Sequence, residues 1–370
     1  MNAPNASPGR TPATDAPFRF LLAAPWLALL LLAGCAGHAG ERGASGGRFE
    51  FALVGDMPYE ARQEREFPNV MKEIDASDVA FVVHNGDFWF DGIAWTEKLG
   101  GLPPCADETF ADRLRLAENS VHPFIYTPGD NDWTDCHRAK PHSYEPLERL
   151  AKLREMYFRD GHSLGKRKLS LERQSDDPRY AKYRENARWS HGGVMFVTLH
   201  MVGSNNNLGR TPEMDAEHAE RTAANLAWMR QGFELAARGG SKAIMLIAQA
   251  NPRFETSWPA AHQQRYMLAG LAIKSPEKRR ATGFDEFLAA LEKETLAFGK
   301  PVVYAHGDTH LFRVDKPLFG SASRRVIDNF TRVETIGYPD THWVRAIVDP
   351  DDPNVFSFRQ QIVPENRARH

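Results

Sequence analysis

The sequence predicts a layered α/β fold, on three observations. Runs that are apolar on both faces alternate along the chain with stretches of helical period, the pattern of parallel strands covered by helices. Four of these runs stop at a Gly-Asp pair: "EFALVGDMPY" (50–59), "AFVVHNGDFW" (80–89), "FIYTPGDNDW" (124–133) and "VVYAHGDTHL" (302–311). Beyond residue 310 the pattern changes to turns and alternating runs such as "HWVRAIVDP" (342–350), which predict antiparallel strands at the end.

The first element is not part of the fold. Residues 20–34, "FLLAAPWLALLLLAG", follow Arg10 and Arg19. Fifteen apolar or small residues are short for a membrane span, which needs about 20, and suit the apolar segment of a secretory signal. The run ends in "LAGC" (32–35), which resembles the lipobox of bacterial lipoproteins, with Cys35 as the lipidated residue. The alternative is an N-terminal membrane anchor with an incidental cysteine. A lipidated Cys35 places the protein in the bacterial cell envelope, facing the periplasm, held to a membrane by acyl chains. Residues 36–47, small, polar and Gly-rich, read as a flexible tether, and 48–363 as the folded domain.

Within that domain the strand candidates are 48–55, 78–84, 122–128, 192–202, 242–248 and 301–305. Phe67, Val70, Met71 and Ile74 recur at helical spacing after the first. Residues 215–237 read as a long helix with Leu226, Met229, Phe233 and Ala236 inside, and "DEFLAALEKETLAF" (285–298) as another. Residues 137–190 match no motif and hold 14 Lys/Arg against 8 Asp/Glu. Leu147, Leu150, Leu153 and Tyr157 mark one helix there. This basic insertion reads either as a lid over the site or as a solvated surface segment.

Removal of residues 1–35 leaves 44 basic and 47 acidic residues, a formal charge of −3. That balance makes no case for a nucleic-acid partner. Cys105 and Cys136 remain, and an exported chain meets an oxidising compartment where such a pair bonds. Closure of that loop contributes about 3–4 kcal/mol in the chain-entropy model and ties down the loop after the third Gly-Asp.

Each Gly-Asp pair lies just past the carboxyl end of a predicted strand, the edge where open α/β sheets bind ligands. Asp56, Asp87, Asp130 and Asp308 should therefore meet at one rim. Four carboxylates so close cannot all ionise without cations, and oxygen donors suit hard divalent ions. The competing reading is four ordinary Asx turns.

These residues resemble the calcineurin-like metallophosphoesterases, the superfamily that includes the purple acid phosphatases. The matching blocks run in the family's order: "GDMP" (55–58), "NGDF" (85–88), "GDND" (129–132), "LIAQANP" (246–252) and "GDTH" (307–310). The resemblance implies a four-layer αββα sandwich, one or two metal ions and hydrolysis of a small phosphoester. "NFTRVETIGYPDTHWVRAIVDP" (329–350) is similar to the closing strands of such domains.

The ligand identities depart from the family pattern. Asp56 and Asp87 match its first two aspartates, but Pro58 stands where a histidine ligand belongs; Tyr59 beside it is able to approach that position, as a tyrosine from another motif does in the purple acid phosphatases. Asp130 replaces an asparagine ligand, Asn131 the proton-donating histidine, and Asp132 keeps the place of that histidine's acidic partner. Gln249, or its competitor Asn251, replaces a strand-end histidine. Asp308 replaces the first histidine of the last motif and His310 keeps the second. Donors are exchanged for donors, mostly nitrogen for oxygen. The implied metal ligands are Asp56, Asp87, Asp130, Gln249, Asp308 and His310, a set that favours Mn²⁺, Mg²⁺ or Ca²⁺ over Zn²⁺ and admits iron.

Substitute proton donors are sought among His84, His200 and His306, each also readable as a structural histidine. Trp89, Phe90 and Trp133 read either as a stacking surface for substrate or as core. Two functions remain: a lipid-anchored metal-dependent phosphoesterase, and a binding or structural lipoprotein on the same fold.

Overall fold

β1 (Phe49–Val54) sets the layering by simple alternation. Its Ala52 and Val54 pack among helix side chains, whereas Phe51 and Leu53 face a second sheet. The same alternation repeats across a computed structural model that describes residues 47–89, 102–139, 142–259, 262 and 282–367. All of these lie in one compact unit, Arg42–His370.

Among the described residues twelve strands form two sheets. The five-stranded sheet runs β12 (Phe356–Gln361), β11 (Trp343–Val348), β1, β2 (Val82–His84), β3 (Phe124–Tyr126). The seven-stranded sheet runs β4 (Glu172–Arg173), β5 (Ala187–His191), β6 (Val194–Thr198), β7 (Ala243–Ile247), β8 (Val302–His306), β10 (Phe330–Glu334), β9 (Arg313–Asp315). β1, β2 and β3 pair in parallel, as do β6, β7, β8 and β10, and the outer strands add on antiparallel.

Three apolar clusters fill the spaces between layers. Phe51, Leu53, Phe81 and Val83 of the first sheet meet Phe196, Met245, Ile247 and Val303 of the second. On the far side of the first sheet lie α1 (Ala61–Asp75), α2 (Asp107–Asn119) and α3 (Pro146–Tyr157), through Phe67, Val70, Phe110 and Leu153. On the far side of the second lie α4 (Pro212–Arg238) and α5 (Asp285–Phe298), through Leu226, Met229, Phe233 and Leu291. The architecture is the four-layer αββα sandwich expected.

The basic stretch 137–190 is woven into these layers over its described part. α3 packs into the first core, and β4 and β5 extend the seven-stranded sheet. Composition did not show this, because two-residue β4 and the short hairpin carry no periodic signal. Cys35, the signal segment and the tether before Gly47 lie outside the described residues. Among the described residues no helix is long and apolar enough to cross a membrane.

Candidate active site

The carboxyl ends of the parallel strands all reach one rim, and close contacts there explain the repeated Gly-Asp. A Cβ on Gly129 would stand 1.9 Å from Asp87 Oδ1, and one on Gly307 2.0 Å from Asp56 Oδ2. Each glycine therefore makes room for the carboxylate of another motif. The aspartates, not these glycines, take the left-handed backbone: φ is 53° at Asp56, 61° at Asp87 and 77° at Asp308, with His310 at 65°. Such φ values cost a non-glycine residue about 1–2 kcal/mol each and cluster at functional sites.

The rim side chains form two linked groups. In the first, the Tyr59 hydroxyl lies 3.3 Å from Asp56 Oδ1, 3.3 Å from Asp87 Oδ2 and 3.4 Å from His310 Nε2. His310 Nε2 is 3.6 Å from Asp56 Oδ1, and its Nδ1 meets the Tyr338 carbonyl at 2.9 Å, which fixes the ring. Pro58, which cannot bind metal, is followed directly by Tyr59, whose hydroxyl reaches this group. In the second group, a Cβ on Gly203 would come within 2.6 Å of Asp130 Oδ2 and 2.8 Å of Asp308 Oδ1, so these carboxylates share one wall. That wall is a left-handed turn, with Ser204, Asn205, Asn206 and Asn207 all at positive φ. Arg221 donates to Asn206 Oδ1 at 2.6 Å, and Thr134 Oγ1 to Asn207 Oδ1 at 2.6 Å, holding it in place.

Asp87 joins the groups. Its Oδ1 accepts from Asn131 N (3.0 Å), and its Oδ2 from Asn131 Nδ2 (3.1 Å) and Gln249 Nε2 (2.9 Å). Gln249 thus reaches the rim, but its Oε1 accepts from Gly203 N at 2.6 Å and its nitrogen faces Asp87, the reverse of a ligand's orientation. Asn251 takes part through its backbone, donating to Asp308 Oδ2 at 2.8 Å.

Burial is the first cause that lifts the carboxyls of Asp56, Asp87 and Asp130 well above the usual range, and their mutual repulsion lifts them further. Asp308 is pushed up to about 6, burial again leading. No Lys or Arg among the described residues makes an ion pair with any of the four, although the Arg253 and Arg313 charges moderate Asp308. Burial lowers His310, leaving a neutral imidazole able to donate a lone pair.

Other candidates stand away from the rim. Asp132 faces away from the rim. Its carboxylate accepts from Asp87 N (2.9 Å), Phe88 N (2.9 Å), Gly129 N (2.8 Å) and the Tyr126 hydroxyl (2.7 Å), so it braces the two turns that carry Asp87 and Asp130. His200 is fully buried, with Nδ1 2.8 Å from Glu185 Oε1 and its ring edge against Trp133. Arg221 and Asn225 of α4 take its carbonyl, which draws it into the outer layer rather than onto the rim. His84 and His306 are equally buried; His84 bonds the Met57 carbonyl, and burial lowers it to about 3. Trp89 and Trp133 are core residues, Trp89 stacked on Phe110. Phe90 lies outside the described residues.

Cys105 and Cys136 are disulfide-bonded, with Cα atoms 5.8 Å apart. Both sulfurs lie 3.6 Å from the Asn131 carbonyl, so the bridge does secure the loop after the third Gly-Asp.

Among the described residues no three His, Cys, Asp or Glu side chains alone are disposed as a metal shell. The close-set group includes a phenol. The Tyr59 hydroxyl lies 3.3 Å from Asp56 and Asp87 and 3.4 Å from His310, and His310 lies 3.6 Å from Asp56, so these donors are close enough to share one ion. The donor chemistry and the uncompensated buried carboxylates fit a divalent ion.

No protein-family model matches the sequence, and no curated protein matches it. Among solved structures the chain is similar to PhoD, at 13% identity and a TM-score of 0.48, over 83% of this chain and 65% of that one. It is similar also to the 5'-nucleotidase from Candida albicans SC5314, at 10% identity and a TM-score of 0.37, over 86% of this chain and 52% of that one. The chain therefore spans less than two thirds of either protein's own length. Both likenesses are of architecture, and the chemistry rests on the residues of the rim.

Proposed function

We propose that the protein is a metal-dependent phosphoesterase. The observation that carries this reading is the convergence at the carboxyl ends of parallel strands of Asp56, Asp87 and Asp130, buried, with the partly buried Asp308, repelling one another and without an ion-pairing Lys or Arg among the described residues. Asp56, Asp87 and His310, with Tyr59 among them, would hold one ion. Asp87, Asp130 and Asp308 would hold a second, joined by Gln249 once its amide turns. Mostly oxygen donors favour Mg²⁺, Mn²⁺ or Ca²⁺ over Zn²⁺, and iron accepts the imidazole. When bound, such an ion supplies Lewis-acid chemistry, drawing charge from a phosphoryl oxygen.

The chain's own residues then set the substrate. Asn131 donates to Asp87 and to the Tyr59 hydroxyl and has no proton to give a leaving group. Loss of a general acid costs about 10²–10⁴-fold, so aryl esters and anhydrides, whose leaving groups depart unprotonated, are the preferred substrates. One observation favours a second reading, a binding protein: Asn131 and Gln249 already hydrogen-bond Asp87, doing part of what an ion would do. Export belongs to the same proposal, with Cys35 lipidated and the domain in the periplasm.

The test is a melting curve of the soluble domain with and without Mn²⁺, Mg²⁺ and Ca²⁺, beside a panel of aryl, anhydride and alkyl phosphoesters. Metal-dependent turnover of the first two supports the enzyme. Binding without turnover of any ester leaves the binding protein, and an unmoved melting curve removes the metal site. Mass spectrometry of the mature chain tests export: any N-terminus other than a modified Cys35 removes the anchor.

A further inference from the structure

Glu334 has no place in the motifs, yet its carboxylate touches more of the last Gly-Asp turn than any ligand does. β10 and β8 are parallel neighbours in a register that sets Glu334 opposite His306. β8 ends at His306, and the chain turns at once through Gly307, Asp308, Thr309 and His310. The last residue of β10 therefore stands beside that turn. Glu334 is fully buried. Its Oε1 accepts from Thr309 N (3.1 Å), from Leu311 N (3.2 Å) and from the Thr309 hydroxyl. Its Oε2 accepts from Arg313 Nε at 2.6 Å.

Thr309 and Leu311 are the residues that directly follow Asp308 and His310. Both rim residues are in the left-handed region, at φ 77° and 65°, where a residue with a side chain is strained. Such a turn persists only if its surroundings over-determine it. Asp308 N is held by Asp56 Oδ1 at 3.0 Å, which fixes the turn from inside the rim. Glu334 fixes it from outside, at the two amides that must point away if Asp308 and His310 are to point in. Without that acceptor both amides lose their protein partner beside a turn free to relax toward ordinary φ, and the two side chains swing with it.

We infer that Glu334 is a positioning residue: it clamps the Asp308–His310 turn by its two amides and so holds both side chains at the rim. This rests on the metal-dependent reading above. The clamp is distinct from the charge. Arg313 is partly exposed, lies 3.5 Å from Glu255 Oε1 and donates to the Thr309 hydroxyl at 3.3 Å, but it meets neither of the two amides that Glu334 holds.

Three variants separate the possibilities: Glu334→Ala removes the acceptors, Glu334→Gln keeps one oxygen for the amides, and Arg313→Met removes the ion pair and the bond to the Thr309 hydroxyl while leaving both amides their acceptor. Mn²⁺ affinity is read by calorimetry, and hydrogen exchange at the Thr309 and Leu311 amides by NMR, with far-UV circular dichroism as the check on folding. Loss of a residue that orients ligands typically costs 10–100-fold in metal affinity. Glu334→Ala should weaken Mn²⁺ by about that factor and speed exchange at both amides at least tenfold, with unchanged dichroism. Glu334→Gln and Arg313→Met should stay within about threefold of the parent on both. Equal Mn²⁺ affinity in the parent and Glu334→Ala overturns the inference, and so does equal exchange. Should Glu334→Ala not fold, Glu334→Gln and Arg313→Met decide: loss of Mn²⁺ in both makes the charge responsible and removes the clamp. Should the parent bind no Mn²⁺, the metal reading fails, and the exchange rates alone uphold or overturn the clamp.

Discussion

Asp130 and Asp132 stand two residues apart after β3, both buried, and the fold treats them in opposite ways. Asp132 points under the turn, where three backbone amides and the Tyr126 hydroxyl meet its carboxylate. Burial still raises it, but those four bonds pull the other way. Asp130 points to the rim, where burial is followed by repulsion from Asp308 and Asp135. Glu334 and Asp308 repeat the contrast on the other sheet, one bonded to amides and Arg313, the other facing Asp56 and Asp130. Among the described residues, Asp132 and Glu334 are met by amides, hydroxyls or an arginine, whereas the rim carboxylates, though hydrogen-bonded, face one another with no ion-pairing Lys or Arg. That division is the physical signature of the site.

The sharpest way to break the comparison is to remove one member from each side. Asp132→Ala leaves three buried amides and a hydroxyl without an acceptor and should cost about 3–5 kcal/mol in denaturant unfolding. Asp130→Asn, in chelator-treated protein at pH 7, removes a repelling charge and should instead raise stability by on the order of 1 kcal/mol. Equal losses in the two variants would erase the distinction.

How much of this was legible in the sequence follows the same line. The strands and the two long helices declared themselves by period, and the rim by four Gly-Asp pairs, because both are local patterns. Asp56, Asp87, Asp130, Asp308 and His310 came from those pairs, and the structure brings them to one rim. Asp132 was misread because a pattern gives a residue's place but not the side of the turn it faces. His200 sits near a strand end like the others, yet α4 draws it inward through Arg221 and Asn225. Glu334 was invisible: its partners Thr309 and Leu311 lie more than twenty residues away, and only the β8–β10 register brings them together. The hairpin β4–β5 escaped for want of length.

Loading the rim should reverse its cost. An ion that binds only the folded state stabilises by about 2.7 kcal/mol at a hundred times its dissociation constant. Calorimetric scans with Mn²⁺ should show that rise, and Asp87→Asn, at the junction of both groups, should remove most of it. A full rise in the variant would separate Asp87 from the ion.

Acidity gives a smaller effect with a definite sign. Asp308 titrates in the fold at about 6 and Glu334 at about 7, against usual values of 3.8 and 4.5. A carboxyl raised by folding binds more protons folded than unfolded, so its contribution is complete below about pH 4 and is lost as pH rises through its folded value. The metal-free protein should therefore lose stability between about pH 4 and pH 7, seen as a falling midpoint in urea. Saturating Mn²⁺ should flatten that fall, since the ion favours the ionised rim. A metal-free curve that rises over this range would mean that the rim carboxylates are already compensated.

The smallest effect concerns Asn131, a rim side chain with no proton to give. Asn131 bonds Asp87 through both its backbone and its amide, and that amide also lies 3.4 Å from the Tyr59 hydroxyl. Its place is therefore fixed against the reacting edge while its chemistry is inert. Asn131→His puts a titratable group there, and the backbone bond to Asp87 Oδ1 survives the change. A well-placed general acid is worth about 10²–10⁴-fold, but Asp132 is already committed to four other donors and would not orient the new ring. The gain should be only about tenfold, confined to alkyl phosphoesters, whose leaving groups need the proton. Aryl esters and anhydrides should change by less than threefold. Steady-state rates on matched aryl and alkyl esters measure this directly. An equal gain on both classes would assign Asn131 to binding rather than to the missing proton, and loss on both would show that its amide, through Asp87, helps hold the rim together.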